Sequence, residues 1–572
     1  MRPASHKISA GDVEVEMRPR FSGMLAVVNK LTGETISKSS RMELLVRTPD
    51  EVSEPVFLSP VTLGAESPKS PISLEFANSN NRYKAKLAIT PSEHGIRFHV
   101  RVKAPKAIWL FEWKITELSI DSVIVPALGG QILNKKMPPG RSVAYKYPFW
   151  WNAQFVLGQT KKGGLSLGTR DSSPSLKLLR VTKGAAGFDL SLGFEMQGPL
   201  YDKTLEAEWY LDCYRDGWKV AVDRYRRWME KAFRVQPLAS NKYFPSWAKS
   251  INFVLEIWGM RKDRPQPHHT FQQMADRLKD WRRLHSPDQT LVYLPGFAEG
   301  GIDSRAPDYN PSPELGGRQE FGKLINLAHD LGYRVMIHTN VLALTYSHRL
   351  FPSLKKYQVV DVFGRPQGWA LDIDGDWLTE PYFAYVNPGA KAWGDLMEKV
   401  LGGLINEFAL DAVFLDQTLL AFNVSKGPNF IAGMRSHIAR LHHAFPNVLF
   451  AGEGMHEQVV SVLPMAQIHG IDSVVGTHGI EESSVWRQAH PISMYLFRRY
   501  TRFVAHLLTK HPSDPMFEKQ ETAYAKLGVI PALCLYESNQ PIDIPAVRKM
   551  IWRASNLEFN ETTSREEVHG KD

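Results

Sequence analysis

Apolar and polar residues alternate in short runs over the first part of the chain. VEVEM at 13–17, MELLV at 42–46, YKAKLAI at 83–89, IRFHVRV at 96–102, LSLGT at 165–169 and FDLSLGF at 188–194 carry this pattern. Successive side chains of a strand point to opposite faces, so a period of two marks a sheet with one buried face. Turn-rich stretches such as LTGE at 31–34 and NSNNR at 78–82 separate the runs. Strands and turns at this spacing predict an antiparallel β-sandwich over residues 1–235. Helical periodicity becomes strong at 215–233, RDGWKVAVDRYRRWMEKAF, which reads as a helix linking the sandwich to the second part of the chain.

Beyond residue 250 the rhythm changes to strand, helix, strand. INFVLEIW (251–258) is followed by an amphipathic stretch at 268–285, then LVYLPGF (291–297). A helix at 318–332 ends at Gly332, and RVMIHTN (334–340) is the third strand. A helix at 391–410 leads to DAVFLD (411–416), and one at 429–445 leads to VLFAGE (448–453). AQIHGIDSVV (466–475) reads as a sixth strand, GVIPALCLY (528–536) as a later one, and 492–511 as a helix between them. Such alternation implies parallel βαβ units. A TIM (β/α)8 barrel over 236–545 is preferred to an open doubly wound sheet, because the chain has neither a GxGxxG after its first strand nor a P-loop. Residues 546–572 read as a helical, charged tail. The stretch 341–390 reads as one long loop rich in aromatics, including Trp369 and Trp377.

Composition narrows the function classes. Of 572 residues, 43% are hydrophobic and 23% charged, with a net charge of +9. The basic residues are dispersed rather than clustered, which argues against a nucleic-acid footprint. Cys213 and Cys534 do not make a disulfide framework. No secretory signal and no apolar run of membrane-spanning length is visible, so a cytoplasmic protein without a membrane partner is expected.

The strand ends carry the candidate chemistry. Asp416 closes DAVFLD and Glu453 closes VLFAGE, at the face where a barrel's βα loops gather. Asp411, at the opposite end of its strand, falls on the face that serves stability. Gly452 and Gly454 flank Glu453 and allow close approach of backbone or ligand. The two carboxylates are one helix and one strand apart, hence on adjacent strands. Cleavage of a glycosidic bond uses such a pair, and adjacent strands suit the spacing of a retaining mechanism. His338, Asn340 and Gln417 supply hydrogen-bonding groups for sugar hydroxyls. Trp258 offers an aromatic face. Tyr293 and Asp303, on or after the second strand, are further substrate-binding candidates, as are Asp472 and His478 past the sixth; Asp308 also lies after the second strand, and Glu256 is a candidate to point into the barrel. No convincing metal-ligand set, nucleophilic-serine motif or Cys/His signature is present, so neither metal nor cofactor is expected.

Taken together, these segments resemble a family. VVNKLTGETI (27–36) resembles the galactose-mutarotase-like β-supersandwich that precedes some glycosidase barrels. PDYNPSPELGG (307–317), RVMIHTN, DAVFLDQ and LFAGEG resemble barrel proteins related to the endo-α-N-acetylgalactosaminidase family and, more distantly, the α-amylase-like clan. The resemblance implies a retaining glycoside hydrolase acting on α-glycosidic bonds of an oligo- or polysaccharide. Asp416 matches the nucleophile on strand four, and Glu453 matches the acid/base on strand five. An acid at 453 calls for a carboxyl that keeps its proton, through its apolar strand and the charge of Asp416. The clan's seventh-strand aspartate has no counterpart here, since Asp472 falls too early in the chain. A catalytically silent carbohydrate-binding protein on the same scaffold is the alternative.

Overall fold

Two antiparallel sheets face each other in the N-terminal part of this computed structural model. One runs Val56–Gly64, Glu34–Arg47, Leu110–Leu118, Phe188–Glu195, Leu176–Lys183 and Ser142–Tyr147 in hydrogen-bonding order. The other runs Ile72–Ala77, Lys84–Pro91, Gly95–Lys103, Thr204–Arg215, Gly163–Gly168, Phe155–Gln159, Ser122–Val125 and Gln131–Asn134. Val56–Gly64 belongs to both, shifting register between Pro60 and Thr62. Alternation buries one face of each strand, and the two inner faces meet through large aromatics: Trp113 packs on Phe98 at 4.6 Å and on Trp209 at 5.1 Å between ring centroids. The sandwich expected from the period-two pattern is present. The described residues are 6–557 without 19–23, 50–53, 65–71, 197–201, 263–265, 373–375, 377, 469–484, 506–510 and 515–516.

The helix Trp218–Phe233 comes next, burying Val222, Tyr225, Met229 and Phe233 along one stripe. Eight parallel strands succeed it: Phe253–Ile257, Thr290–Leu294, Arg334–Asn340, Ala412–Asp416, Leu449–Glu453, Met465–Gln467, Arg502–Val504 and Ala532–Leu535. Each pairs with its successor through the seventh, and the first pairs with the eighth. A parallel bridge from Val504 to Ile530 brings the seventh strand against the eighth segment, so the sheet closes into a barrel. These strands read as continuous apolar runs because both faces are covered, the inner by side chains and the outer by helices. Helix boundaries obey local chemistry: Thr270 and Gln273 form a capping box on Phe271–Trp281, and Gly332 takes the left-handed conformation after Gly317–Leu331. Among the described residues no helix is long and apolar enough to cross a membrane.

Three sequence expectations are corrected. Among the described residues, the helix expected at 492–511 spans Ile492–Phe497, and Arg502–Val504 is the seventh barrel strand. Three residues are too few to register a period of two; neighbouring ladders specify this strand instead. The sixth strand begins at Met465 rather than 466, and residues 469–475 lie outside the described part. The stretch 341–390 is not a structureless loop: Ala343–Thr345, Gly368–Leu371 and Glu380–Tyr385 form a three-stranded antiparallel sheet. Between barrel strands six and seven, Arg487–Ala489 joins the edge of the N-terminal sheet beside Gln131–Asn134.

Candidate active site

Parallel strands all end on one face, so register alone gathers their last residues. Asn340 pairs with Asp416, and Leu415 with Gly452, which places Asp416 and Glu453 side by side one residue further on. Asp411 closes the other end. Burial works to raise its pKa, but hydrogen bonds from His329 Nε2 at 2.9 Å, the Val335 N–H at 2.9 Å and Arg334 Nη1 at 2.7 Å outweigh this and hold the carboxyl below its ordinary value. That is a structural anchor at the stability face.

Asn340 is the hub of the upper face. Its Nδ2 lies 3.2 Å from Asp416 Oδ2, 3.1 Å from Asp303 Oδ2 and 3.0 Å from Gln417 Oε1. Its own Oδ1 accepts the N–H groups of Leu342 and Ala343, both at 2.9 Å, which fixes which way the amide points. Gln417 adopts φ +64°, a left-handed conformation uncommon outside glycine. From there its backbone N–H reaches Glu453 Oε2 at 2.9 Å, and its Nε2 donates to the Tyr385 hydroxyl at 3.1 Å. Thr418 Oγ1 donates to the Glu453 carbonyl at 3.0 Å.

Asp303 arrives from the loop after the second strand, also with positive φ, +55°. Tyr309 donates its hydroxyl to Asp303 Oδ1 at 3.2 Å, and the same hydroxyl accepts the Asn340 N–H at 2.7 Å. His338 Nε2 lies 3.6 Å from Asp303 Oδ1, while His338 Nδ1 lies 2.6 Å from the Tyr293 hydroxyl. Asp303 is thus a third carboxylate beside the expected pair. Burial, then the charge of Glu453, then that of Asp303 hold the Asp416 carboxyl well above the usual range. Burial beside two further carboxylates makes an anion at Asp416 costly. Crowded carboxylates share protons, since they cannot all ionise at close range. One ligand-capable atom each of Asp303, His338 and Asp416 lies within 4.8 Å of the others, close enough to share a cation, although no metal was expected from the sequence.

Tyr293, Asp303, His338, Asn340, Gln417, Asp416 and Glu453 are therefore brought together. Trp258 is not an open platform: it is 4% exposed, donates Nε1 to Glu256 and stacks on Tyr536 at 5.5 Å. Gln417 spends its amide on Asn340 and Tyr385. Asp308 accepts from His348 Nε2 at 3.1 Å, and Trp369 is exposed on its own strand. Asp472, His478 and Trp377 lie outside the described residues. Tyr385 and Tyr309 were missed. The aromatic run YFAY at 382–385 was a strand signal for the first; for the second, an Asp-Tyr-Asn turn gave none.

Residues 204–468, less than half of the chain, match the family described as Domain of unknown function (DUF6259). No curated protein sequence matches. Among solved structures, alpha-N-acetylgalactosaminidase NagBb from Bifidobacterium bifidum is similar in its GalNAc complex at TM-score 0.72 and 12% identity, over 96% of this chain and 92% of that one. Its ligand-free form gives TM-score 0.71 at 12% identity, over 96% and 93%. Its Gal-NHAc-DNJ complex gives 0.72 at 13%, over 96% and 92%. At this identity the shared property is the fold, an antiparallel sheet-rich domain followed by an eight-stranded parallel barrel.

Proposed function

We propose that the chain is a glycoside hydrolase that cleaves α-glycosidic bonds with retention, with the chemistry carried by the barrel of residues 236–545. The observation that carries this reading is the pairing of Asp416 with Glu453 on adjacent strands at the loop face, both oriented by Gln417 and Asn340. Adjacent strands lie about 4.8 Å apart, close to the roughly 5–5.5 Å between carboxyl groups that a double displacement uses. Asp416 attacks the anomeric carbon while Glu453 protonates the departing oxygen. Glu453 then takes a proton from water, whose oxygen displaces Asp416 from the sugar. The pair enters the cycle with one proton. Positive charge developing at the anomeric carbon favours the anion at Asp416, which Asn340 Nδ2 faces, and leaves the proton to Glu453. Asp303, His338 and Tyr293 form a polar wall suited to sugar hydroxyls.

The similar Bifidobacterium enzyme makes aryl α-N-acetylgalactosaminides the first substrates to try, followed by other aryl α-glycosides. Turnover by the wild-type chain, lost in Asp416→Asn and in Glu453→Gln with folding intact, is the expected result. Full activity in either variant sinks the assignment. The crowding of Asp416 by Glu453 and Asp303 in a buried site supports one second reading, a sugar-binding protein without turnover, because it works against the anion that attacks. Calorimetric binding of a free sugar with no hydrolysis of any glycoside in the panel would establish that reading instead.

A further inference from the structure

Glu457 is a fully buried carboxylate that the glycosidase chemistry does not use. It lies one turn of chain beyond Glu453, yet its partners come from the other part of the molecule. Oε1 accepts from the Tyr147 hydroxyl at 2.8 Å and from Gln154 Nε2 at 2.6 Å; Oε2 accepts from the Tyr225 hydroxyl at 2.6 Å. Its backbone N–H donates to the Asn152 carbonyl at 3.0 Å. Tyr147, Asn152 and Gln154 belong to the N-terminal sheets and their connections, and Tyr225 to the helix Trp218–Phe233. Gln458 extends the junction, donating Nε2 to the Tyr147 hydroxyl at 2.9 Å and to the Ser173 carbonyl at 3.1 Å. Lys177, itself buried and 2.9 Å from Asp171 Oδ2, adds positive charge on the same side.

The opposite side of this segment is tied to the barrel. His456 hydrogen-bonds the Thr418 backbone, and Thr418 Oγ1 holds the Glu453 carbonyl. Phe149 and Trp150, stacked at 4.3 Å, line a small cavity of about 20 Å³ together with Gly454, Met455 and Gln467. Residues 453–457 therefore run between two anchors, one in the strand-four loop and one in the N-terminal domain. A buried carboxylate is costly to desolvate, and apolar side chains fill such space more cheaply. Three donors converging on one carboxylate fix both its orientation and the register of its segment.

We infer that Glu457 is a positioning residue for Glu453: it locks the loop after the fifth strand onto the N-terminal domain and so holds Glu453 at the depth from which it protonates the leaving group. The inference rests on the acid/base role proposed for Glu453. Burial pushes the Glu457 carboxyl up to about 7 against the pull of Tyr225, Gln154, Tyr147 and Lys177, so the lock changes charge near neutrality.

Leaving-group dependence separates this role from simple support of the fold. A 2,4-dinitrophenyl glycoside departs without a proton, whereas a phenyl glycoside needs one. Glu457→Gln is expected to lower kcat/KM, which reports the first displacement alone, on the order of tenfold or more for the phenyl α-glycoside, a part of what general acid catalysis supplies, and to spare kcat/KM for the dinitrophenyl substrate. Equal losses on both substrates, or none, overturn the inference. If Glu457→Gln does not fold, Tyr225→Phe, which removes one donor from the same carboxylate, is expected to show the same selectivity, and equal losses there overturn the inference equally. Wild-type protein that hydrolyses neither substrate overturns the glycosidase reading and this inference with it, an outcome distinct from activity without selectivity.

Discussion

The backbone N–H of Gln417 donates to Glu453 Oε2 at 2.9 Å, so the residue next to one catalytic candidate orients the other. The bond depends on the left-handed conformation of Gln417, which turns its N–H across to the next strand. Such a conformation costs a non-glycine residue on the order of 1 kcal/mol. The cost is offset by the side chain, which ties Asn340 to Tyr385.

Gln417→Gly separates these contributions. Glycine keeps the positive φ and the backbone donor but removes the bridge between Asn340 and Tyr385. A thermal midpoint within a few degrees of wild type is expected, since each net hydrogen bond is worth only about 1 kcal/mol. Turnover should fall nonetheless, because Asn340 loses one of the groups that fix it. Unchanged kcat would show the bridge to be irrelevant to the site.

Azide distinguishes the roles of the two carboxylates. With an activated aryl α-glycoside, Glu453→Ala plus azide is expected to yield the α-glycosyl azide, because azide replaces water in the second displacement. Asp416→Ala plus azide is expected to yield the β-azide by direct attack. Proton NMR of the anomeric position reads the configuration, and the opposite pair of products would exchange the two assignments.

Asp303→Asn removes a like charge beside Asp416. The Asp416 carboxyl, raised by burial and by both neighbouring carboxylates, should then titrate at lower pH. The acid limb of kcat/KM moves down with it if ionisation of Asp416 controls that limb. A limb that stays in place or moves up would contradict the electrostatic account.

Stability should also depend on pH with a defined sign. Glu457 titrates near 4.5 when unfolded and about 7 when folded. The folded state therefore holds its proton longer, so the stability present below 4.5 is lost as pH rises through about 7, by on the order of 3 kcal/mol. Asp171 shows the opposite behaviour: burial raises its pKa, but Lys177, Ser173 and Ser175 outweigh this and lower it to about 2, so its contribution is lost as pH falls through that value. Buried histidines such as His269, His437 and His442, held below their ordinary value by desolvation, contribute the opposite trend over this range, so the comparison with Glu457→Gln isolates the carboxyl. In denaturant titrations at stepped pH, the unfolding free energy of the wild type relative to Glu457→Gln should decline from mildly acidic to neutral conditions, and a difference independent of pH would refute the assignment.

Asp411→Ala tests the far end of the barrel. It strands the Val335 N–H and removes the partner of His329 and Arg334, with an expected loss of about 2 kcal/mol. On any substrate the wild type turns over, kcat/KM should hold, because nothing at the loop face touches Asp411.

Period two and the βα rhythm made the sandwich and most barrel strands legible, because each occupies enough residues to show its pattern. Arg502–Val504 was not legible: three residues carry no period, and their strand state comes from Met465–Gln467 and Ile530 on either side. Asp416 and Glu453 were legible because each ends an apolar run that leaves a carboxylate no solvated neighbour. Asp303 was visible as a residue near the cleft but not as the companion of Asp416. That relation is made by a positive-φ turn and by Asn340, two contacts that no spacing encodes. Glu457 was not legible as a junction residue, since its donors come from residues 147–225.

The strand Arg487–Ala489 has a consequence for synthesis. Gln131–Asn134 is completed on one side by this partner, and Asn134 Nδ2 donates to the carbonyl of Val485, 351 residues away, at 2.8 Å. A ribosome releases the N-terminal sheets long before it makes the segment that covers their border. Until then the nascent chain displays a bare row of backbone donors and acceptors, the kind of surface that recruits chaperones or pairs wrongly with other chains. The last stitch of the first domain is thus placed only when the barrel is nearly finished.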